Sequence, residues 1–266
     1  MRVLASICAS VLLSASAADA QSSSETDVPS RLVVDAGGFN MRFLTDLTLN
    51  TPLLDPTTVS FENDLGLPDT VNRGYVEAFL RVSRRNQLSL GYAGAMRQGD
   101  PLTLARSLDW GGVVYPIGVR AAGRLDTRFL SGGYRFSAVK NGGFELGPAV
   151  GFGYLWMTAG ISASPTIDRE VDMNTPTADV GGFANWWVTR RIYVRGDFRY
   201  GFFKPSNSEA AITQARASAT WYPWQHLGFG GQFVFDKFRY DRIRSSTELG
   251  GTYRVDGLQL LVSTAF

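Results

Sequence analysis

Residues 192–202, IYVRGDFRYGF, alternate in character along the chain. Ile192, Val194, Phe198, Tyr200 and Phe202 fall on one parity, and Tyr193, Arg195, Asp197 and Arg199 on the other. A β-strand repeats every two residues, so this stretch predicts a ribbon with an apolar face and a charged face. The pattern recurs. In 74–83, Val76, Ala78, Leu80 and Val82 oppose Tyr75, Glu77, Phe79 and Arg81. In 144–156, Phe144, Leu146, Val150, Phe152, Tyr154 and Trp156 oppose Glu145, Gly147, Ala149, Gly151 and Gly153. Similar alternation marks 87–98, 211–222, 227–240 and 255–266.

Such strands must hide their apolar faces somewhere. The mean hydropathy of −0.05 is too polar for a helical membrane protein. Beyond residue 20 no run approaches the ~18–20 apolar residues that a spanning helix needs. A barrel in a membrane satisfies both facts, because one face of each strand meets lipid and the other stays polar. The stretch 255–266, VDGLQLLVSTAF, sharpens this reading by ending on an apolar aromatic in mid-alternation. A closed barrel uses such a strand by pairing it with the first, which removes the sheet edge. Leu258, Leu260, Val262 and Phe266 are expected to face lipid, with Gln259 and Ser263 inside.

Turn signals divide the chain unevenly. Arg84-Arg85-Asn86, Lys140-Asn141-Gly142-Gly143, Thr189-Arg190-Arg191 and 223–226 read as tight turns. Segments 50–72, 99–118, 162–176, 205–209 and 245–251 read as longer loops, with Gly111-Gly112 a possible hairpin tip beyond the membrane. The expectation is an all-β fold: a transmembrane antiparallel up-and-down β-barrel of about ten strands, with short periplasmic turns and longer outer loops. Eight strands remain an alternative if a hairpin near Gly111 or Gly201 belongs to the loops.

The beginning of the chain reads as an export signal. Arg2 supplies the charge, residues 3–13 the apolar core, and Ala18-Asp19-Ala20 a small-x-small cleavage site. The organisation expected is a signal peptide over 1–20, cleaved near Ala20, a polar periplasmic lead-in over 21–30, and a barrel over 31–266. The sole cysteine, Cys8, lies within the signal core, so the processed chain would have no disulfide or thiolate chemistry. The net charge of +2 gives no argument for a nucleic-acid partner.

The export signal, the alternation, the turn asymmetry and the terminal Phe266 together resemble the small bacterial outer-membrane β-barrel superfamily over roughly 31–266. The resemblance implies a porin-like membrane protein of a Gram-negative outer membrane, with outer-membrane lipid around it. It also implies that Phe266 serves as an assembly signal, read by the barrel-assembly machinery through the last strand. Outer-membrane barrels include lipid-A deacylases, phospholipases and proteases, whose chemistry depends on a histidine near the outer leaflet. This chain has one histidine, His226, in a turn expected on the periplasmic side, so a non-enzymatic role is expected, without cofactor or metal, with a lipid- or peptide-modifying enzyme as the weaker alternative.

Parity places Glu77, Arg81, Arg195, Asp197, Arg199, Arg216 and Asp236 in the lumen. Arg124, Asp126 and Arg128 join this lumen charge network if a bulge shifts the phase near Phe129; otherwise that charged half lies above the membrane. A narrow barrel forces such charges to pair, giving an ion-pair plug. The apparent arginine excess instead suggests a narrow pore for polar or anionic solutes. Either reading leaves room for structural, interaction or small-solute roles through the outer loops and charged lumen. The acidic loop from Asp55 to Asp69 is a weaker candidate for calcium, since it lacks the spacing of a calcium loop and reads better as a solvated loop. Glycines 147, 151 and 153 are expected to relieve crowding inside the barrel.

Overall fold

The computed structural model describes residues 31–50, 57–110, 112–163, 167–204, 208–244 and 247–266. The expected signal and lead-in, together with Asp55 and Gly111, lie outside the described residues. Ten strands form the wall: β1 (Leu32–Asn50), β2 (Thr70–Arg81), β3 (Asn86–Gln98), β4 (Arg120–Phe136), β5 (Phe144–Ala163), β6 (Ile167–Thr189), β7 (Ile192–Phe203), β8 (Ser208–Trp221), β9 (Leu227–Arg244) and β10 (Thr247–Ala265). Each pairs antiparallel with the next in sequence. β10 then returns to β1, from Val33 opposite Ala265 to Asn50 opposite Glu248. At the foot of this seam the Phe266 amide donates to the Leu32 carbonyl at 2.8 Å, and the Leu32 amide donates back at 3.0 Å. The sheet has no free edge, as backbone in hydrocarbon requires.

One end carries the short turns at 82–85, 137–143, 190–191 and 222–226 together with the start of β1 and the end of β10. Gly142 and Gly143 have φ of 52° and 87°, the paired positive values of a type I′ turn between Asn141 and Phe144. At the other end, some expected loops are strand. Much of 162–176 and 245–251 continues the β5–β6 and β9–β10 hairpins. Above the lipid the outward face meets water instead of hydrocarbon, so the apolar lipid-facing parity that reveals a strand is lost while its hydrogen bonds continue.

The outward side chains form an exposed apolar belt, including Leu90, Phe152, Val180, Phe198, Phe233, Leu258 and Leu260. A continuous belt of this kind is disfavoured in water and suits lipid. Leu258, Leu260, Val262 and Phe266 are exposed, while Gln259 and Ser263 are buried inside. β4 pairs with β3 and β5 without a bulge, so its parity is constant from Ala121 to Arg135. Arg124, Asp126 and Arg128 therefore point outward with Leu130, on the part of the strand towards the long loops, and do not join the lumen.

The half of the bore towards the long loops is closed by an apolar plug. Two loops turn inward over it. The first, after the short strand Thr57–Ser60, contributes Phe61, Leu65 and Leu67; the second contributes Leu104 and the hairpin Leu108–Trp110 with Val113–Tyr115. These pack on Met41, Phe43, Leu125, Leu155 and Ile161 of the wall. The hairpin around Gly112 thus belongs to the core: Leu108, Trp110 and Tyr115 are buried, and the Tyr115 hydroxyl donates to the Ile161 carbonyl at 3.2 Å. The acidic first loop is no free solvated loop either. Arg97 of β3 donates to Glu62 at 2.5 Å and to the Pro68 carbonyl, which ties that loop to the wall.

Inward glycines make this filling possible. A β-carbon on Gly123 would stand 2.3 Å from Leu67 Cδ1 and 2.8 Å from Leu65 Cβ. One on Gly147 would meet the Phe136 carbonyl oxygen at 1.8 Å, one on Gly151 the Asp179 carboxylate at 2.6 Å, and one on Gly153 the Phe129 ring at 2.6 Å. Gly147→Val is expected to lower the urea midpoint of the folded barrel by the equivalent of about 1–3 kcal/mol or more, because rigid backbone cannot yield as a side chain can. A wild-type midpoint in lipid vesicles, with unchanged heat-modifiable migration, would contradict this.

Candidate functional site

The half of the bore towards the short turns is packed with charge. Alternation in β1, β2 and β4–β9 aims one ionisable side chain after another inward. Asp35, Arg73, Glu77, Arg135, Arg195, Arg199 and Asp236 are all buried. Arg195 donates to Asp35 at 2.6 Å across the bore, and Ser263 Oγ donates to the other oxygen of Asp35 at 2.6 Å. The Tyr222 hydroxyl lies 2.7 Å from Ser263 Oγ. Since that serine gives its proton to Asp35, the phenol donates to the serine. Burial pushes the Tyr222 phenol up to about 12, so it keeps its proton at neutral pH.

A second chain of pairs runs beside the first. Asp236 accepts from Arg73 at 2.8 Å and from Gln214 at 3.1 Å, and Arg216 bridges Asp236 at 3.8 Å and Glu77 at 3.3 Å. Asp197 accepts from Arg135 at 2.6 Å and from Arg199 at 2.8 Å, and Arg199 also reaches Asp179 at 3.7 Å. Nearest the turns, Glu145 receives Arg81 at 2.8 Å and Lys140 at 3.2 Å. Phe79 is held between two guanidiniums, Arg195 at 4.1 Å and Arg135 at 4.5 Å from its ring centre.

The balance of this band decides between the two lumen readings. Arg73, Arg81, Arg135, Arg195, Arg199 and Arg216 meet Asp35, Glu77, Glu145, Asp179, Asp197 and Asp236. Six arginines are thus matched by six carboxylates among the described residues, with Lys140 a further cation on Glu145, and the arginine excess that suggested an anion path is absent. The void beside Arg73, Glu77, Arg216 and Asp236 is about 20 Å³, enough for one water.

The structure brings together Glu77, Arg81, Arg195, Asp197, Arg199, Arg216 and Asp236, and leaves Arg124, Asp126 and Arg128 outside. Arg124 and Arg128 have side chains 54% and 56% exposed; Arg128 pairs with Asp126 at 2.7 Å and Arg124 approaches Glu170 at 4.0 Å. Sequence reasoning missed Asp35, Arg73, Arg135, Glu145 and Asp179 as members. Arg135 had a usable signal, since it lies between outward Tyr134 and Phe136. His226 is exposed in the short turn 222–226; its Nδ1 lies 2.7 Å from the Ala265 carbonyl and its ring stacks on Phe266 at 5.7 Å. Among the described residues no group of three or more His, Cys, Asp or Glu could hold a metal ion. In the acidic loop, Glu62 serves Arg97, and Asp64 accepts from the Ser60 amide and from Arg106.

A closed ten-strand wall with an outward apolar belt, a polar bore and short turns at one end defines the outer-membrane type of β-barrel. Among solved structures, the chain is similar to the outer membrane protease OmpT from Escherichia coli, with a TM-score of 0.58 over 91% of this chain and 99% of that one, at 8% identity. Weaker likenesses include the translocator domain of the autotransporter NalP from Neisseria meningitidis (TM-score 0.41, 11% identity, 90% of each chain) and the toluene transporter TodX from Pseudomonas putida (TM-score 0.32, 9% identity, 90% of this chain and 91% of that one). No protein-family model matches the sequence. No curated protein matches it either.

Asp35→Ala is expected to cost about 3–5 kcal/mol of barrel stability, because it strands the buried Arg195 charge. Replacing both partners, Asp35→Leu with Arg195→Met, is expected to cost markedly less. Urea unfolding in lipid vesicles measures both, and equal losses for the single and double variants would refute the pairing argument.

Proposed function

We propose that this chain is a non-conducting, non-enzymatic barrel of the bacterial outer membrane, acting through the surfaces at its two ends. The filled bore carries this reading. A mutually paired band and an apolar plug lie in series, and the void within the band holds about one water. A hydrated ion crossing this path would have to break buried pairs that are each costly to separate. The short-turn end is then the periplasmic end and the long-loop end the outer one, the arrangement usual for such barrels.

The similarity to OmpT concerns the fold, and the residues here do not favour its protease role. The lone histidine is at the short-turn end, far along the wall from the long loops. It supports the seam, where the ring of Phe266 stacks on it. Phe266 closes β10 onto β1, which fits a role in recognition by the assembly machinery, with outer-membrane lipid as the remaining partner.

Purified protein in planar bilayers is expected to give no current steps above lipid background, and Arg199→Ala to give none either, because the apolar plug remains. Discrete steps from the wild-type protein would overturn the closed-bore reading. Overexpression is expected to leave lipid A and phospholipid profiles unchanged; a deacylated or hydrolysed species absent from the empty-vector strain would overturn the non-enzymatic reading.

A further inference from the structure

Below the ion-pair band the bore opens into a vestibule of about 840 Å³ at the short-turn end. We propose that this vestibule binds an acidic, N-acetylated glycan–peptide, the chemistry of a peptidoglycan fragment. The proposal rests on the reading that this end faces the periplasm.

Three independent features define the ligand. The first is charge. Lys140, Arg190 and Arg191 line the opening, Arg84 and Arg85 stand on a neighbouring turn, and Glu145 is the one acidic residue lining the vestibule. Glu145 is already taken by Arg81 and Lys140. Arg190 and Arg191 have no ion-pair partner among the described residues, so two guanidinium forks remain for carboxylates. The second is hydrogen bonding. Gln87 and Asn185 line the vestibule, are 6% and 3% exposed, and their side-chain oxygens have no hydrogen-bond partner among the described residues. Buried acceptors left unpaired are costly, and the N–H of an acetamido group or a peptide would satisfy them. The third is an aromatic wall. Trp187 packs against Tyr193 at 4.7 Å and Tyr222 at 5.5 Å between ring centres, each pair tilted. Such rings present flat apolar faces to the C–H face of a sugar while keeping a polar edge.

No phosphate need be invoked, because isolated phosphates make no use of the amides or the rings. The closed bore behind the vestibule also restricts its ligands to those arriving from the short-turn side.

The test is calorimetric titration of the full barrel in detergent with three probes: a soluble N-acetylglucosaminyl-N-acetylmuramyl tripeptide, neutral di-N-acetylchitobiose, and glycerophosphoglycerol as a lipid headgroup. The tripeptide conjugate is expected to bind, and chitobiose more weakly. Arg190→Ala combined with Arg191→Ala is expected to weaken conjugate binding by about tenfold or more. Asn185→Leu, which keeps the size of the side chain and removes the acceptor, is expected to weaken it as well. Arg124→Ala, on the outer face towards the opposite end, is the control expected to bind as wild type. No heat with the conjugate, equal affinity for glycerophosphoglycerol, or indifference to both vestibule variants would overturn the proposal. Binding that appears only after removal of residues 21–30 would overturn it too, since the chain itself would then be the occupant. Channel activity in bilayers would sink the closed-bore reading yet leave a positive titration standing, so the two failures are distinguishable.

Discussion

Asp35 holds the barrel at its closing seam. It sits on β1 opposite Ser263 of β10, on the seam that converts a sheet into a closed wall. Its two oxygens take Ser263 from the neighbouring strand and Arg195 from β7 on the far side of the bore. A single carboxylate thus ties the closing pair of strands together and braces them against the opposite wall. Tyr222 extends this link into the turn between β8 and β9. The remaining charges in the band obey the same necessity: in a bore this narrow each must find its counter-charge among its neighbours.

The two halves of the interior solve the filling problem differently. Towards the short turns, long charged side chains reach across and pair. Towards the long loops, the wall turns apolar and receives Leu65 and Leu67 against Gly123, and Trp110 against Phe61 at 5.3 Å between ring centres. Arg97 anchors the first loop by holding Glu62 and the Thr45 hydroxyl at once. Gly123, Gly147, Gly151 and Gly153 are therefore placed by volume: each stands where a neighbouring carbonyl, carboxylate, ring or plug side chain already fills the space.

The wall was legible because lipid imposes a strict period on the strands that cross it. β7 and the 255–265 part of β10 could be read residue by residue for that reason. The reading failed where lipid no longer imposes the rule. In β6, residues 168–174 carry the polar Asp168, Glu170, Asp172 and Asn174 on the outward parity where a lipid-facing strand would be apolar, and Pro176 normally argues against a strand, yet they pair with β5 up to Ala163 opposite Ile167. Arg124, Asp126 and Arg128 misled for the same reason. Outward charge is forbidden within the lipid belt and free above it, so constant parity looked like a phase error. The plug was hidden because Phe61, Leu65, Leu67, Leu104 and Leu108 follow no period; their burial comes from where two loops happen to fold. The vestibule left little trace, since Gln87 and Asn185 are ordinary inward residues until the turns around them are seen in space.

The two fillings in series respond to temperature in opposite senses. Apolar packing weakens on cooling, whereas the desolvation cost that opposes buried ion pairs falls on heating. A barrel closed by either device alone would loosen at one extreme. With an oily lock above and an electrostatic lock below, the wall keeps at least one firm cross-brace at each extreme, so its closure varies less with climate than either half would alone.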